Sequence, residues 1–136
     1  MELKVYLAAR YSSKEQMKVY AEELRVEGIE VTARWLEEKY SPNTGMNEVP
    51  YNELVLFART DLQDVEDADV LVFFAEDPEN QPRRGGRHVE FGYALALGKQ
   101  ILVIGPVENI FHNLPEIPHY ENFEQVKNAL KAIDIT

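Results

Sequence analysis

The apolar positions of this chain change period several times between its ends, and each change marks an element. Leu3 to Ala9 is a short apolar, β-prone run that stops at a polar turn, the pattern of a strand buried near the centre of a sheet. Met17, Tyr20, Ala21 and Leu24 then recur at helical intervals. Ser13 and Gln16 have capping-box spacing at the start of that helix, and Gly28 supplies a C-terminal cap. Ile29, Val31 and Ala33 alternate with polar residues, which predicts a half-exposed strand at a sheet edge. From Glu37 to Pro50 there is no period, only the breakers Pro42, Asn43, Gly45 and Pro50, so a long loop is expected.

Leu54, Phe57, Ala58, Leu62 and Val65 mark one face of a second helix, and Val70 to Ala75 is an uninterrupted apolar run of strand length. The polar stretch Glu76 to Gly86 leads into a third helix, Val89 to Leu97, apolar nearly all round and therefore expected to be largely buried. Gly98 ends it before the strand Ile101 to Ile104. A short strand is expected near Ile117 to Tyr120, and Asn122 opens a last helix through Val126, Leu130 and Ile133. Strands alternating with helices predict an α/β fold: one three-layer, Rossmann-like (flavodoxin-like) domain over residues 1–136, with a parallel sheet of four to five strands. Ligands of such sheets bind beyond the carboxyl ends of the strands, so chemistry is expected just after Ala9 and Ala75.

Composition narrows the possible functions. With 136 residues, 45% of them hydrophobic, the chain suits one core and is too short for two. It has no cysteine, which excludes a disulfide framework or thiolate metal site and makes a cytoplasmic location the expectation. Lys4 and Arg10 interrupt the first apolar stretch, so neither a signal peptide nor a membrane span is expected there. A net charge of -10 repels polyphosphate backbones and argues against a nucleic acid polymer as partner. The basic residues that do cluster are Arg83, Arg84 and Arg87. Neither a GxGxxG turn nor a GxxxxGK[ST] loop is present, and His88, His112 and His119 lack metal-ligand spacing.

Two carboxylates stand out. Glu90 lies near the start of a helix whose other residues, Val89, Phe91, Gly92, Tyr93 and Ala94, are apolar or small. One explanation is complementation of the helix dipole in solvent, worth only ~0.3–1 kcal/mol. The other is an ionised, poorly solvated nucleophile in a cleft, with Gly85 and Gly86 letting backbone approach a ligand. Asp61 borders the apolar stripe of its helix, as a structural cap or as a group that orients a ligand, whereas Asp64, Glu66 and Asp67 are expected to face water. Tyr6 is by pattern a core aromatic, but it stands near the carboxyl end of its strand.

The stretches YLAARYS (Tyr6 to Ser12), RTDLQDVEDAD (Arg59 to Asp69) and GGRHVEFGYALALGK (Gly85 to Lys99) together resemble the nucleoside 2-deoxyribosyltransferase family, over most of the chain. The resemblance implies that Glu90 attacks the anomeric carbon, that Asp61 holds the sugar and positions the nucleophile, and that Tyr6 hydrogen-bonds that carboxylate. It further implies that Ala8 and Tyr11 border the base, with Arg10 in the same substrate-binding turn. Relatives form at least dimers, in which a segment after the fourth strand completes a neighbour's site; Asn113 is the match there, with Asn109 and His112 close by. One departure is plain. Family transferases carry an acidic residue before the Gly-rich turn to protonate or bind the base, and Arg83 and Arg84 fall at that place, with Glu76 and Asp77 as possible substitutes. Arginines there suit a phosphate, and the superfamily includes hydrolases of nucleoside 5′-monophosphates; Arg84, Gly85, Gly86 and Arg87 are the expected contacts.

The reading is a cofactor-free, metal-free enzyme that cleaves the N-glycosidic bond of a nucleoside or its 5′-monophosphate through a glycosyl-Glu90 ester. Transfer to another base and transfer to water both stay open. The rivals are a non-catalytic nucleotide-binding or sensing domain on the same fold and a purely structural module, and the second gives Asp61 and Glu90 no reason for their placement.

Overall fold

A computed structural model describes residues 2–38, 49–77 and 85–133. Its five strands are β1 (Lys4–Ala8), β2 (Glu30–Val31), β3 (Val70–Phe74), β4 (Gln100–Ile104) and β5 (His119–Tyr120), joined into one parallel sheet in the order β2-β1-β3-β4-β5. The helices are α1 (Lys14–Val26), α2 (Tyr51–Asp67), α3 (Gly86–Ala96) and α4 (Phe123–Lys131). This is the expected Rossmann-like α/β architecture. The strand order reverses beside β1, so the cleft outside the carboxyl ends of β1 and β3 is the place where such sheets take ligands.

Covering both faces of the sheet explains the unbroken apolar run of β3, which is buried at every residue. Phe74 points to one face, where Tyr20 of α1 stacks on Phe123 of α4 with ring centroids 4.0 Å apart. Phe73 points to the other, edge-on to Phe91 of α3 at 5.4 Å. Alternation along β1 and β3, whose register pairs Tyr6 with Leu71 and Ala8 with Phe73, thus sorts α1 and α4 from α2 and α3.

Several local expectations are corrected. Ser13 makes no capping bond to α1, because residues Tyr11–Ser13 already form a 3₁₀ turn and Ser13, at φ -91° and ψ 10°, lacks the extended cap geometry. The edge strand ends at Val31 instead of running to Ala33. The cause is Asp64, expected in water but buried, whose two oxygens accept from the backbone N and Nε of Arg34, each at 2.8 Å, and hold a 3₁₀ turn over Arg34–Glu37. Trp35 fixes the same turn by donating its indole N–H to the Leu7 carbonyl at 3.0 Å. The third helix is not largely buried: Arg87, Phe91 and Ala94 face the core, while Val89 and Leu97 are 63% and 44% exposed. The expected loop from Glu37 to Pro50 lies mostly outside the described residues. No helix among the described residues is long and apolar enough to cross a membrane.

One buried ion pair ties the carboxyl end of the sheet together. Arg87 is paired through both terminal nitrogens to Glu108, with Nη2 2.7 Å from Oε1, and it also donates to the Phe74 carbonyl. The side chains are only 2% and 0% exposed. Glu108 accepts in addition from the Glu76 backbone N–H at 2.8 Å, so the segments after β3 and β4 and the start of α3 meet on one carboxylate. Charges this deep are stable only while paired. Glu108→Ala is therefore expected to cost about 3–5 kcal/mol of unfolding free energy, read as a lowered urea midpoint; a change below about 1 kcal/mol would mean that the pair is solvated.

Candidate active site

Three elements on the α2–α3 side of the sheet deliver the side chains of interest. β1 brings Tyr6, fully buried, whose hydroxyl donates to Oε2 of Glu90. α3 opens at Gly85, which holds φ +71°, a left-handed conformation open to glycine and strained for other residues. That turn places Glu90 one turn into the helix, with its neighbour Phe91 packed inward on Phe73. α2 brings Asp61, whose Oδ1 is buried without a hydrogen-bond partner among the described residues.

Burial dominates the electrostatics. The Glu90 carboxyl is pushed up to about 8, first by loss of water and then by the charges of Asp61, Glu38 and Asp64, while the Tyr6 hydrogen bond works in the opposite direction. Asp61 is pushed up to about 7 by burial, with Glu38 and Asp64 adding to the effect and Arg34 opposing it. Tyr6 is raised well above its ordinary value by burial and by the same carboxylates, so it remains a donor. The Asp61 charge is one of the causes that raise Glu90, so an ionised Asp61 opposes ionisation of Glu90. Near neutrality the site holds one proton more readily than none, and an incoming positive centre would favour its loss.

The remaining expected residues fall into three groups. Ala8 is buried at the end of β1, and Tyr11 follows at the start of the 3₁₀ turn, 5.9 Å from the Trp35 ring, so both stand at the carboxyl edge of the sheet. Arg10, between them, is exposed and pairs with Glu76 at 3.4 Å. Gly85 and Gly86 line the entry to α3, where an added Cβ meets no described atom within 4 Å. Asn113 is exposed at the end of a 3₁₀ turn (Ile110–Asn113), whereas Asn109 caps that turn by accepting from the Phe111 N–H at 3.0 Å and His112 is fully buried.

Arg87 does not fit the expected phosphate contact. Its guanidinium is turned into the core and held by Glu108, because a buried cation needs a buried anion more than the cleft needs a charge. Arg83 and Arg84 lie outside the described residues.

Sequence reasoning missed Glu38 and Lys14. Lys14 is 5% exposed, donates from Nζ to the Glu38 carbonyl and lies 3.3 Å from the Tyr11 hydroxyl. Lys14 continues the buried face of Met17, Ala21 and Leu24 but is charged, Glu38 sits in no periodic pattern, and their meeting depends on the 3₁₀ turn that Asp64 and Trp35 hold.

No protein-family model and no curated protein matches the chain significantly. Solved structures do. The chain is similar to a CMP N-glycosidase, BcmB, of Clostridium botulinum, with 22% identity over 96% of this chain and 99% of that one and a TM-score of 0.55. It is also similar to a 2-deoxyribosyltransferase of Bacillus psychrosaccharolyticus, at 21% identity over 97% and 93% of the two chains and a TM-score of 0.66. A conserved protein of Enterococcus faecalis gives 15% identity, coverages of 96% and 98% and a TM-score of 0.64. Across nearly its whole length, the chain shares the parallel α/β fold of these proteins.

Proposed function

We propose that the protein cleaves the N-glycosidic bond of a nucleoside or nucleoside 5′-monophosphate by double displacement at Glu90. The observation that carries this reading is a half-buried glutamate oriented by the hydroxyl of a strand tyrosine, beside a second desolvated carboxyl, at the ligand-binding edge of the sheet. The fold shared with a CMP N-glycosidase and a 2-deoxyribosyltransferase supports it.

Chemically, one Glu90 oxygen attacks the anomeric carbon while the C–N bonding pair leaves with the base, giving a glycosyl ester. Water, or a second base, then attacks the same carbon and returns Glu90 as a carboxylate. Tyr6 binds Oε2 and stops the carboxylate from turning, which leaves Oε1 for the attack. Asp61, ionised, faces the positive charge that develops on the sugar. With Arg87 held by Glu108, the arginine-based preference for a monophosphate loses that contact. Assembly belongs to the same reading: Ile110 and Phe111, 76% and 55% exposed beside Asn113, form an apolar edge that a second copy would cover.

Glu90→Gln is expected to lower base release by at least ~10³-fold, because the amide cannot form the ester. Near-normal turnover in that variant would sink the mechanism, while retained nucleotide binding without turnover even in the native protein would favour a sensing domain. The same substitution reports on stability. Glu90, ordinarily near 4.5, titrates at about 8 when folded, so its stabilising effect is complete below the unfolded value and disappears as pH rises through the folded one. Glu90→Gln should therefore raise the melting temperature clearly at pH 8.5 and little at pH 5.

A pH profile tests the carboxyl pair. The ionised nucleophile makes kcat/KM rise with pH toward about 8 in the free enzyme. Asp61→Asn removes a like charge and should move that limb to lower pH while reducing kcat; an unmoved limb would separate Asp61 from Glu90. Sedimentation should show a dimer or larger assembly that Phe111→Glu dissociates, and an active monomer would count against the shared site.

A further inference from the structure

Lys14 stands where a lysine is doubly disfavoured. It is the first residue of α1, where the helix dipole repels a cation, and it is only 5% exposed. A buried ammonium is ordinarily matched by a carboxylate, yet among the described residues Nζ meets two neutral oxygens: it donates to the Glu38 carbonyl and, at 3.3 Å, to the Tyr11 hydroxyl. It also lies 5.1 Å from the centre of the Tyr11 ring. A methionine would fill the same place on the buried face of Met17, Ala21 and Leu24 without that cost.

What the ammonium holds is an aromatic wall. Tyr11 starts the 3₁₀ turn after β1, half-buried, and its ring lies 5.9 Å from that of Trp35. Trp35 belongs to the turn after β2, is buried, and is fixed by its bond to the Leu7 carbonyl. Both rings therefore stand beyond the carboxyl ends of neighbouring parallel strands, the edge at which such sheets take ligands. On the other side of β1 lies β3, and the helix after β3 carries Glu90, which Tyr6 of β1 reaches. A planar base gains about tenfold or more in affinity by packing on an aromatic ring. A ring already fixed loses less entropy when the base arrives.

We propose that Lys14 is a positioning residue: braced on the Glu38 carbonyl, its ammonium pins the Tyr11 ring beside Trp35 as the surface on which the leaving base packs. This rests on the N-glycosidic reading above. The base meets the ring in the ground state and in the transition state alike, so loosening the ring raises KM and leaves kcat nearly unaltered. The ring takes the base and not the phosphate, so nucleosides and their 5′-monophosphates should respond equally.

The experiment is a double-substitution cycle read in KM and kcat, with nucleosides and their 5′-monophosphates as substrates. Lys14→Met keeps the apolar stem and removes the donor; it is expected to raise KM about tenfold for both substrate types while kcat stays within about threefold. Tyr11→Phe keeps the ring and removes the acceptor, so it should do the same, and the double variant should be no worse than either single one. Lys14→Arg should recover part of the affinity. Additive losses, or a lowered kcat at unchanged KM, would mean that Lys14 only pins the Glu38 backbone, and a loss confined to the monophosphates would make it a phosphate contact. Each of these overturns the positioning role while the glycosidic reading stands. If circular dichroism shows that Lys14→Met does not fold, Tyr11→Phe decides alone: a raised KM supports the role and an unaltered one overturns it. A native protein that releases no base from any of these substrates overturns both.

Discussion

Loss of water around Glu90 is the constraint from which the rest of the site follows. A carboxyl group on this side of the sheet cannot be hydrated as it would be on the surface, and the compensation is one hydroxyl from the strand beneath it. Tyr6 can supply that hydroxyl because β1 is central, buried from Val5 to Ala8, and aligned so that Tyr6, its third residue, faces α3. The sheet order therefore sets this contact: β1 must lie next to β3 for a strand tyrosine to meet a carboxyl on the helix that follows β3.

The large-scale pattern was legible in the sequence, for reasons that differ between elements. β3 announces itself as an apolar run because both its faces are covered, and α1 by the spacing of Met17, Ala21 and Leu24, all buried. Glu90, Asp61 and Tyr6 were visible as polar groups interrupting such patterns. The misses have a common origin in contacts between residues distant along the chain. Asp64 is indistinguishable from a solvent-facing acid until Arg34 is brought to it by the turn after β2. Arg87 belongs by sequence to a basic cluster, yet its partner Glu108 lies beyond β4, and no local signal joins them. Glu38 and Lys14 meet through a backbone carbonyl, which has no sequence signature at all.

The two buried charge systems solve opposite problems. Arg87 and Glu108 neutralise each other: loss of water pushes the Glu108 carboxyl up, but the guanidinium and the Glu76 N–H outweigh it and hold the group below its ordinary range. Glu90 and Asp61 lie among charges of their own sign, so burial raises both, with Asp61, Glu38 and Asp64 adding at Glu90 and Glu38 and Asp64 adding at Asp61. A stable fold uses the first arrangement. The second is a cost to the fold, and such costs persist where reactivity is needed.

Glu108 also has a mechanical role. The segment after β3, the first turn of α3 and the segment after β4 are all fastened to it, and Gly105 is pressed so close to β3's end that a Cβ there would lie 3.1 Å from the Ala75 carbonyl. Glu76, Arg87 and Glu108 thus meet at a single carboxylate. Because one carboxylate holds both, Glu76 cannot shift away from the start of α3 without giving up its bond to Glu108.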